Sequence, residues 1–316
     1  MENKVVDVYG RTFKTLRVSL TDKCNFACTY CVTKDFKNSS DSESLENTSL
    51  IKSIIQLNEV LELDAIRFTG GEPTLYKELV QLVSEISKLS IPLKLTTNGF
   101  LLDKLAEPLK KAGLTSVNIS LDALDQSSFL KITRRDSLTQ VLNGIESAIE
   151  AGLDVKINSV ILNGINDDQV LPLFDYAKNM GISIRYLELM RMGHFFSSGF
   201  EEYFFSQESI LKIIAEKYRI KDLARGASAT THYWETSDGY KFGVIANEST
   251  PFCNDCDRLR LDSKGNIYGC LSNNSPISIL EIDAENSLLS KLKQALEHKQ
   301  PAKFIGSEKS MIQFGG

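Results

Sequence analysis

Cysteine and histidine are scarce over most of this 316-residue chain, and their distribution is uneven. The six cysteines form two groups of three, and none lies between residues 31 and 253; the three histidines lie outside both groups. No apolar run approaches the roughly 18 residues that a membrane span needs, and the amino terminus lacks the apolar stretch of a signal peptide. We therefore predict a cytoplasmic protein without membrane contact. Its thiols stay reduced there, so clustered cysteines indicate metal or redox groups rather than disulfides.

The chain also has no excess of basic over acidic residues. The chain has 36 Lys and Arg against 41 Asp and Glu, which gives a formal net charge of -5. Duplex nucleic acid attracts strongly basic surfaces, so nucleic acid is excluded as a main partner. A local basic pocket for a small anion is compatible with this balance.

Short β-rich runs alternate with longer amphipathic stretches up to residue 190, and this rhythm predicts an α/β fold. Helices between successive strands imply parallel pairing with right-handed crossovers. Six strands predict a partial (βα)6 TIM-type barrel, because a complete barrel of eight units needs more chain. The predicted strands are 15–20, 65–69, 93–97, 116–121, 155–161 and 183–190, and the predicted helices are 48–61, 76–89, 102–112, 139–151 and 169–180.

The character of the sequence changes after residue 190. A segment rich in aromatic residues, Gly and Ser comes first, followed by a predicted helix at 207–217 and short strands around the second cysteine group. We therefore predict two domains, a barrel at 1–190 and a C-terminal α+β extension at 191–316. The extension packs against the barrel and carries the second cysteine group. The polar residues 38–44 are predicted to form a loop.

The first cysteine group has the pattern Cys24-x3-Cys28-x2-Cys31 and follows the first predicted strand directly. In a βα barrel, the loops at this end of the strands carry function. Three thiolates on a [4Fe-4S] cluster leave one iron open for an external ligand. The alternative is a structural zinc site with a distant fourth ligand, because zinc in such sites takes four.

The sequence DKCNFACTYC around this group closely resembles the cluster loop of radical SAM enzymes. GGEP after the second strand, TTNG at the third and a serine at the fourth match further positions of that superfamily in order. The resemblance implies that the first group holds a [4Fe-4S] cluster whose open iron binds S-adenosylmethionine (SAM), and that reduction then yields a 5′-deoxyadenosyl radical. The SAM contacts that it implies are Tyr30, Gly71, Glu72, Thr97, Asn98, Ser120 and Met190.

The second cysteine group, Cys253-x2-Cys256-x13-Cys270, also offers three thiolates and no histidine. Its spacing leaves a zinc knuckle, a redox pair and a second cluster with one open iron as alternatives. Arg258 and Arg260 alternate as they would on a strand, which places both guanidinium groups on one face. Beside an open cluster site they favour recognition of an anion, whereas alone they indicate only a solvent-facing pair.

The pattern CxxCxRLR, the third cysteine and the terminal Gly315-Gly316 together resemble the GTP 3′,8-cyclase family of molybdenum-cofactor biosynthesis. The resemblance implies two [4Fe-4S] clusters and a radical SAM lyase that converts GTP to 3′,8-cyclo-7,8-dihydro-GTP. It also implies that the two terminal glycines reach into the active site and support catalysis. The GTP contacts that it implies are Arg17, Arg67, Lys156, Arg185, Arg258 and Arg260.

The same resemblance implies partners. They are GTP as the substrate, a reductant protein such as a flavodoxin or ferredoxin, and a downstream cyclic pyranopterin monophosphate synthase. The sequence leaves the oligomeric state open, with a homodimer as one alternative.

The chain also departs from the family. Ala65 stands where family members carry a lysine that contacts phosphate, Asp257 replaces an amide, and Arg191 is a candidate for the missing cation. For Arg67, an ion pair with a neighbouring acid explains the residue as well as substrate contact does. Two other functions stay open: a different radical SAM enzyme with an auxiliary cluster, such as a peptide-modifying enzyme, and a non-catalytic iron- or zinc-binding protein.

Overall fold

The computed structural model describes residues 5–38, 44–280 and 287–315. Most of the predicted loop at 38–44, and the terminal Gly316, lie outside the described residues. None of the described helices is long and apolar enough to cross a membrane.

Six parallel strands form the centre of the fold. Each pairs with the next in chain order, which confirms the predicted βα rhythm and the partial barrel. The strands are β1 (Thr15–Ser19), β2 (Ala65–Thr69), β3 (Leu93–Thr97), β4 (Leu114–Ser120), β5 (Asp154–Val160) and β6 (Ser183–Leu187).

Helices cover the outer face of these strands. Residues on that face, such as Leu16, Phe68 and Ile157, are fully buried, while the alternate positions on the inner face are largely polar. The barrel therefore encloses a polar interior inside an apolar shell. The helices are α1 (Asn47–Leu61), α2 (Leu79–Ser87), α3 (Leu102–Lys111), α4 (Gln126–Thr133), α5 (Leu138–Glu150) and α6 (Val170–Asn179).

Two boundaries differ from the sequence prediction by three residues, and one helix of the barrel was not predicted. A 3-10 turn, Pro73–Leu75, precedes α2, so this helix begins at Leu79 rather than at residue 76. Strand β6 ends at Leu187 rather than at residue 190. Helix α4 was not predicted, although its first turn is capped by Asp125, whose carboxylate accepts a hydrogen bond from the Ser128 N–H.

The C-terminal part extends the barrel sheet at both of its edges. Strand β9 (Lys241–Ile245) pairs in parallel with β6, and β10 (Arg258–Leu261) pairs in parallel with β1. The predicted extension is therefore more than a neighbour of the barrel, because two of its strands are hydrogen-bonded into the same twelve-stranded sheet. The remaining strands are β7 (Ile220–Leu223), β8 (His232–Thr236), β11 (Asn266–Tyr268) and β12 (Ile277–Ser278).

Five further helices belong to this part. Helix α9 (Gln207–Lys217) has the predicted bounds. The others, which the sequence did not predict, are α7 (His194–Ser197), α8 (Phe200–Tyr203), α10 (Leu288–Glu297) and α11 (Met311–Phe314). Helix α11 brings the end of the chain back to the barrel mouth, where Phe314 is buried against Tyr268.

Candidate active site

The loops that follow the barrel strands surround a cavity of about 230 Å³. The three cysteines of the first group line this cavity from the loop after β1. All seven residues predicted to contact SAM line the same cavity, namely Tyr30, Gly71, Glu72, Thr97, Asn98, Ser120 and Met190. The structure therefore brings together, from five strand ends, the residues that the radical SAM resemblance selected.

The thiols of Cys24, Cys28 and Cys31 are half-buried, and none of them forms a disulfide. The loop is ordered by its own backbone, in which the Cys31 N–H donates to the Cys28 carbonyl at 2.9 Å. Within the described ranges, no three His, Cys, Asp or Glu side chains are grouped closely enough to hold a single metal ion. The donor set that faces the cavity is three free thiols, which is the ligand chemistry of an iron–sulfur cluster.

The carboxylate of Glu72 fastens two loops of the cavity wall together. One oxygen accepts hydrogen bonds from the Thr74 N–H and from the hydroxyls of Thr74 and Thr97, and the other accepts from the Asn98 N–H at 2.7 Å. Burial raises the pKa of Glu72, although these four donors favour the charged form. Sequence reasoning gave Glu72 a contact with an ammonium group, and the structure adds that it positions the loop after β3.

Close backbone approach explains the glycine in the same loop. A Cβ on Gly71 would lie 2.3 Å from the carbonyl oxygen of Lys23, beside the cysteine loop. Only glycine lets the loop after β2 come this near to the loop after β1.

Tyr30 and Asp122 form a buried pair at the other side of the cavity. The Tyr30 hydroxyl donates to Asp122 at 2.9 Å, and the second oxygen of Asp122 accepts from the Val160 N–H at 2.8 Å. Burial raises the pKa of Asp122 to about 6. Sequence reasoning missed Asp122 as a cavity residue, although it follows the end of β4 directly.

The surroundings of the first cysteine group oppose negative charge on the thiols. Burial, and then the nearby Glu72 carboxylate, raise the pKa of Cys24 to about 12. Burial and Asp122 likewise raise the pKa of Cys28. This side of the barrel therefore suits ligands that bring positive charge, as a metal or a sulfonium does.

Basic side chains occupy the inner face of the barrel below this cavity. Arg17 on β1 is flanked in register by Arg67 on β2 and by Arg260 on β10. Arg185 lies on β6, in register with Asn158. Burial, and then the other arginines nearby, lower the pKa of Arg17 to about 10 and that of Arg67 to about 9. Guanidinium groups keep their positive charge in proteins, so the mutual repulsion of these arginines favours an anion between them.

Three acids of the barrel, Glu72, Asp122 and Glu188, are candidate ion-pair partners for these arginines, but all three are engaged elsewhere. Glu72 and Asp122 are bonded as described above, and Glu188 accepts from the backbone N–H groups of Gln207, Glu248 and Ser249. Among the described residues, the Nε and Nη2 atoms of Arg185 have no hydrogen-bond partner. Buried donors without partners are costly in a folded protein. The ion-pair explanation is therefore not supported in the described part of the chain, and a bound anion would satisfy these donors.

Lys94 is a basic residue of this interior that sequence reasoning missed. It lies on β3, directly beside Arg67, and is half-buried. Burial, then Arg67 and Lys156, lower its pKa. No hydrogen bond or ion pair joins it to any residue that the structure describes. The alternation LKLTT on β3 places Lys94 on the inner face, and this was the signal available in the sequence.

Four of the six predicted GTP contacts bond to protein groups, since Arg260 donates to the Gly315 carbonyl, and Arg67 Nη1 donates to the Leu95 carbonyl and the Thr96 hydroxyl at 3.4 Å each. The ammonium of Lys156 is bonded to Asp154. Arg258 donates to the Ser228 carbonyl at 3.0 Å and lies over the Phe252 ring. Arg191, the candidate to replace a lysine at Ala65, pairs with Glu201 and lies over the Phe200 ring, and its role toward the substrate stays a prediction.

The second cysteine group lies at the other edge of the barrel, beside β10 and β1. Cys253, Cys256 and Cys270 are half-buried and free of disulfides. Burial favours the neutral thiol of Cys256, but Arg258 and Lys299 outweigh it and hold the pKa of Cys256 at about 7. Asp257, which replaces the family's amide, accepts from the Thr15 hydroxyl at 2.9 Å and so anchors β10 to β1.

The C-terminal tail connects the two cysteine groups. Met311 and Ile312 line the cavity of the first group. Further along, Arg260 Nη1 donates to the Gly315 carbonyl. Gly315 has φ +76°, and a Cβ there would lie 2.6 Å from Ser19 Cβ inside the barrel mouth. A frayed terminus is therefore excluded for the described part of the tail, while the catalytic role of Gly315 and Gly316 stays a prediction.

The chain matches two sequence families along its length. Residues 18–177 match the Radical SAM superfamily, and residues 182–305 match Molybdenum Cofactor Synthesis C. A GTP 3′,8-cyclase of Helicobacter pylori (strain HPAG1) is 36% identical over 312 residues, which cover 97% of this chain and 96% of the relative. A GTP 3′,8-cyclase of Campylobacter fetus subsp. fetus is 41% identical over 271 residues, covering 84% and 83% of the two chains.

Solved structures support the fold. Streptococcus suis SuiB bound to S-adenosylmethionine aligns with a TM-score of 0.66 at 16% identity, covering 89% of this chain and 66% of SuiB. At this identity the likeness concerns the fold alone.

Proposed function

The chain belongs to the GTP 3′,8-cyclase family of radical SAM enzymes, and from that premise we propose how its residues perform the reaction. The activity is the conversion of GTP to 3′,8-cyclo-7,8-dihydro-GTP, a lyase reaction at the start of molybdenum-cofactor biosynthesis. Its cofactors are SAM and two [4Fe-4S] clusters. The observation that carries the proposal is the basic barrel interior, which lies between two cysteine groups and has no carboxylate partner for Arg17, Arg67 or Arg185 among the described residues.

The cysteines hold the two clusters. Cys24, Cys28 and Cys31 bind the first, and Cys253, Cys256 and Cys270 bind the second. When bound, the first cluster and SAM supply a 5′-deoxyadenosyl radical, and the second cluster binds the guanine base and supplies the later reduction. Three thiolates per group leave one iron of each cluster for a non-protein ligand.

The cavity residues bind and orient SAM. The carboxylate of Glu72 and the loop that it fixes at Asn98 receive the methionine end, where the amine carries a positive charge. Gly71, Thr97 and Ser120 allow close backbone approach or offer hydrogen bonds, and Tyr30 and Met190 pack against the ligand. Because the cavity wall is largely closed by loops from different strands, it also shields the radical from solvent.

The basic interior binds and orients GTP. Arg17, Arg67 and Arg185 hold the triphosphate by charge-assisted hydrogen bonds, together with Lys94 and Lys156 nearer the amino ends of their strands. Arg258 and Arg260 extend this surface toward the second cysteine group, where the guanine binds. The ribose is then held between the two clusters, so that C3′ faces the SAM cavity.

The tail completes the site. The carbonyl of Gly315 accepts from Arg260 and fixes the direction of that guanidinium. Gly315 has no side chain, so the backbone fits against Ser19 without displacing it. Gly316, the last residue of the chain, supports catalysis together with Gly315.

The wider organisation follows the same family. We propose a barrel domain at 1–190 and a C-terminal domain at 191–316, although β9 and β10 join both into one sheet. A flavodoxin or ferredoxin supplies electrons, and a cyclic pyranopterin monophosphate synthase consumes the product. The cytoplasm, where these partners and reduced thiols occur, stays the predicted location.

Anaerobic turnover tests the activity directly. The reconstituted protein is incubated with SAM, a reductant and GTP, and the products are separated and identified by mass spectrometry. We expect 5′-deoxyadenosine and a cyclised nucleotide of the same mass as GTP in equal amounts. ATP is the matched control, because it carries the same triphosphate on a different base. Deoxyadenosine without any cyclised nucleotide, in a protein that contains both clusters, would instead support a different radical SAM activity.

A further inference from the structure

Lys299 is a buried basic residue that contacts a cysteine of the second group. Lys299 follows helix α10 in the chain, and only 4% of its surface is exposed. Its ammonium donates to Cys256 Sγ at 3.3 Å, to the Arg258 carbonyl at 2.9 Å and to the Gly269 carbonyl at 2.8 Å. The SAM and GTP contacts described above do not include it.

The three acceptors around Nζ favour the charged form of this side chain, whereas burial lowers its pKa. Three acceptors surround Nζ, and only the protonated amine has three N–H groups to donate. The aromatic ring of Phe13 lies 4.7 Å from Nζ and adds a cation–π contact. No carboxylate forms an ion pair with Lys299 within the described ranges. The thiolate of Cys256 is thus the one anionic acceptor among its three hydrogen-bond partners.

The position of Lys299 also joins the two arms of the cysteine group. Through Cys256 and Arg258 it holds the CxxC arm, and through Gly269 it holds the residue before Cys270. A Cβ on Gly269 would lie 2.0 Å from the Ala295 carbonyl, so α10 packs directly on this arm. Arg11 reinforces the arrangement from the same side, because its Nη1 donates to the carbonyls of Cys253 and Gln300.

We propose that Lys299 is a positioning residue of the second cysteine group that raises the reduction potential of the cluster held there. Hydrogen bonds to ligand sulfurs and local net charge are the terms by which a protein sets such potentials. One-electron reduction by an external donor adds negative charge beside a fixed ammonium, which stabilises the reduced state.

The inference rests on the second cluster of the proposed function, and the experiment separates the two. Cys24, Cys28 and Cys31 are changed to Ala, so that the protein can hold only the second cluster. Iron content is measured first, and an EPR-monitored redox titration with dithionite then gives the midpoint potential. If this background protein binds no cluster, the proposed function fails before Lys299 is tested.

Three variants are compared in this background. Lys299→Gln removes the charge and keeps a hydrogen-bond donor, Lys299→Arg keeps the charge, and Lys293→Gln removes an exposed charge from the preceding helix α10. We expect a lower midpoint potential for Lys299→Gln. We expect little change for Lys293→Gln, because water and salt screen an exposed charge. The midpoint potential of Lys299→Arg should lie closer to that of the parent protein than the midpoint potential of Lys299→Gln does.

A Lys299→Gln protein with full iron content and the parent midpoint potential would overturn the proposal. If Lys299→Gln fails to retain iron, the proposal is tested with the Lys299→Arg variant instead. Retention of iron at the parent potential by Lys299→Arg supports the role of the charge, whereas loss of iron in both variants overturns it. Circular dichroism of each variant confirms that the fold is intact.

Discussion

The two cysteine groups offer the same three thiols but lie in opposite electrostatic surroundings. Burial, and then the nearby carboxylates of Glu72 and Asp122, raise the pKa values of Cys24 and Cys28 in the first group. Burial also raises the pKa of Cys253 in the second group to about 11. Arg258 and Lys299 face the second, where the pKa of Cys256 is about 7. A SAM sulfonium and amine are positive, whereas GTP brings about four negative charges. The comparison teaches that each group is matched to the charge of the ligand beside it.

We expect the largest effect when a cysteine of the first group is removed. Cys28→Ala should abolish formation of 5′-deoxyadenosine from SAM, because the remaining two thiols do not hold the first cluster. Cys256→Ala should leave some SAM cleavage but no cyclised nucleotide. Both are measured by chromatography after anaerobic turnover, with iron content as the control. Equal loss of SAM cleavage in the two variants would show that the two cysteine groups do not have separate roles in SAM cleavage and cyclisation.

Removal of the tail should impair hydrogen abstraction from C3′ of GTP and leave SAM binding intact. Deletion of Gly315 and Gly316 takes away the acceptor that fixes Arg260, and a small misplacement of the ribose lowers the rate by about 100-fold. SAM binding and both clusters should remain, as iron analysis and equilibrium binding will check. A C-terminal tag should act like the deletion, and the same tag at the amino terminus serves as the control. Wild-type turnover by the deletion variant would show that the tail has no catalytic role.

Loss of a single arginine should weaken GTP binding selectively. Arg260→Met removes charge-assisted hydrogen bonds worth about 1.5–3 kcal/mol, which corresponds to about 10- to 100-fold in Kd. SAM affinity should stay unchanged, because Arg260 lies outside the SAM cavity. Arg219→Met, at an exposed position, is the matched control. Calorimetric titration of both ligands gives the two affinities, and an equal loss for SAM and GTP would contradict the assignment.

We expect the smallest effect when a lysine of the basic interior is removed. Lys94→Met should raise the Kd for GTP by about tenfold or less, because a lysine ammonium makes fewer fixed contacts than a guanidinium. The change should shrink from GTP through GDP to guanosine if Lys94 contacts the phosphates. A loss of affinity that is the same for guanosine as for GTP would place Lys94 elsewhere.

Local motifs predicted the site far better than long-range contacts did. The first cysteine spacing, GGEP and TTNG are each contained within ten residues, and the second cysteine spacing spans eighteen. The strand rhythm placed the first three of these motifs at one end of the barrel. In contrast, the parallel pairing of β9 with β6 and of β10 with β1 joins residues far apart in the chain, which no local pattern encodes. Lys299 was missed for the same reason, because its importance depends on neighbours that only the packing of α10 supplies. Lys94, in contrast, could have been predicted to face the barrel interior from the alternation on β3.

The most direct test of the account measures where each ligand binds. Two complementary proteins are prepared, one with Cys24, Cys28 and Cys31 changed to Ala and the other with Cys253, Cys256 and Cys270 changed to Ala. Equilibrium binding of SAM and of GTP is then measured for each under anaerobic conditions. We expect the first protein to bind GTP and lose SAM, and the second to bind SAM and lose most of its GTP affinity. Loss of both ligands from the same protein, while the other retains both, would contradict the division of the site into two regions of opposite charge.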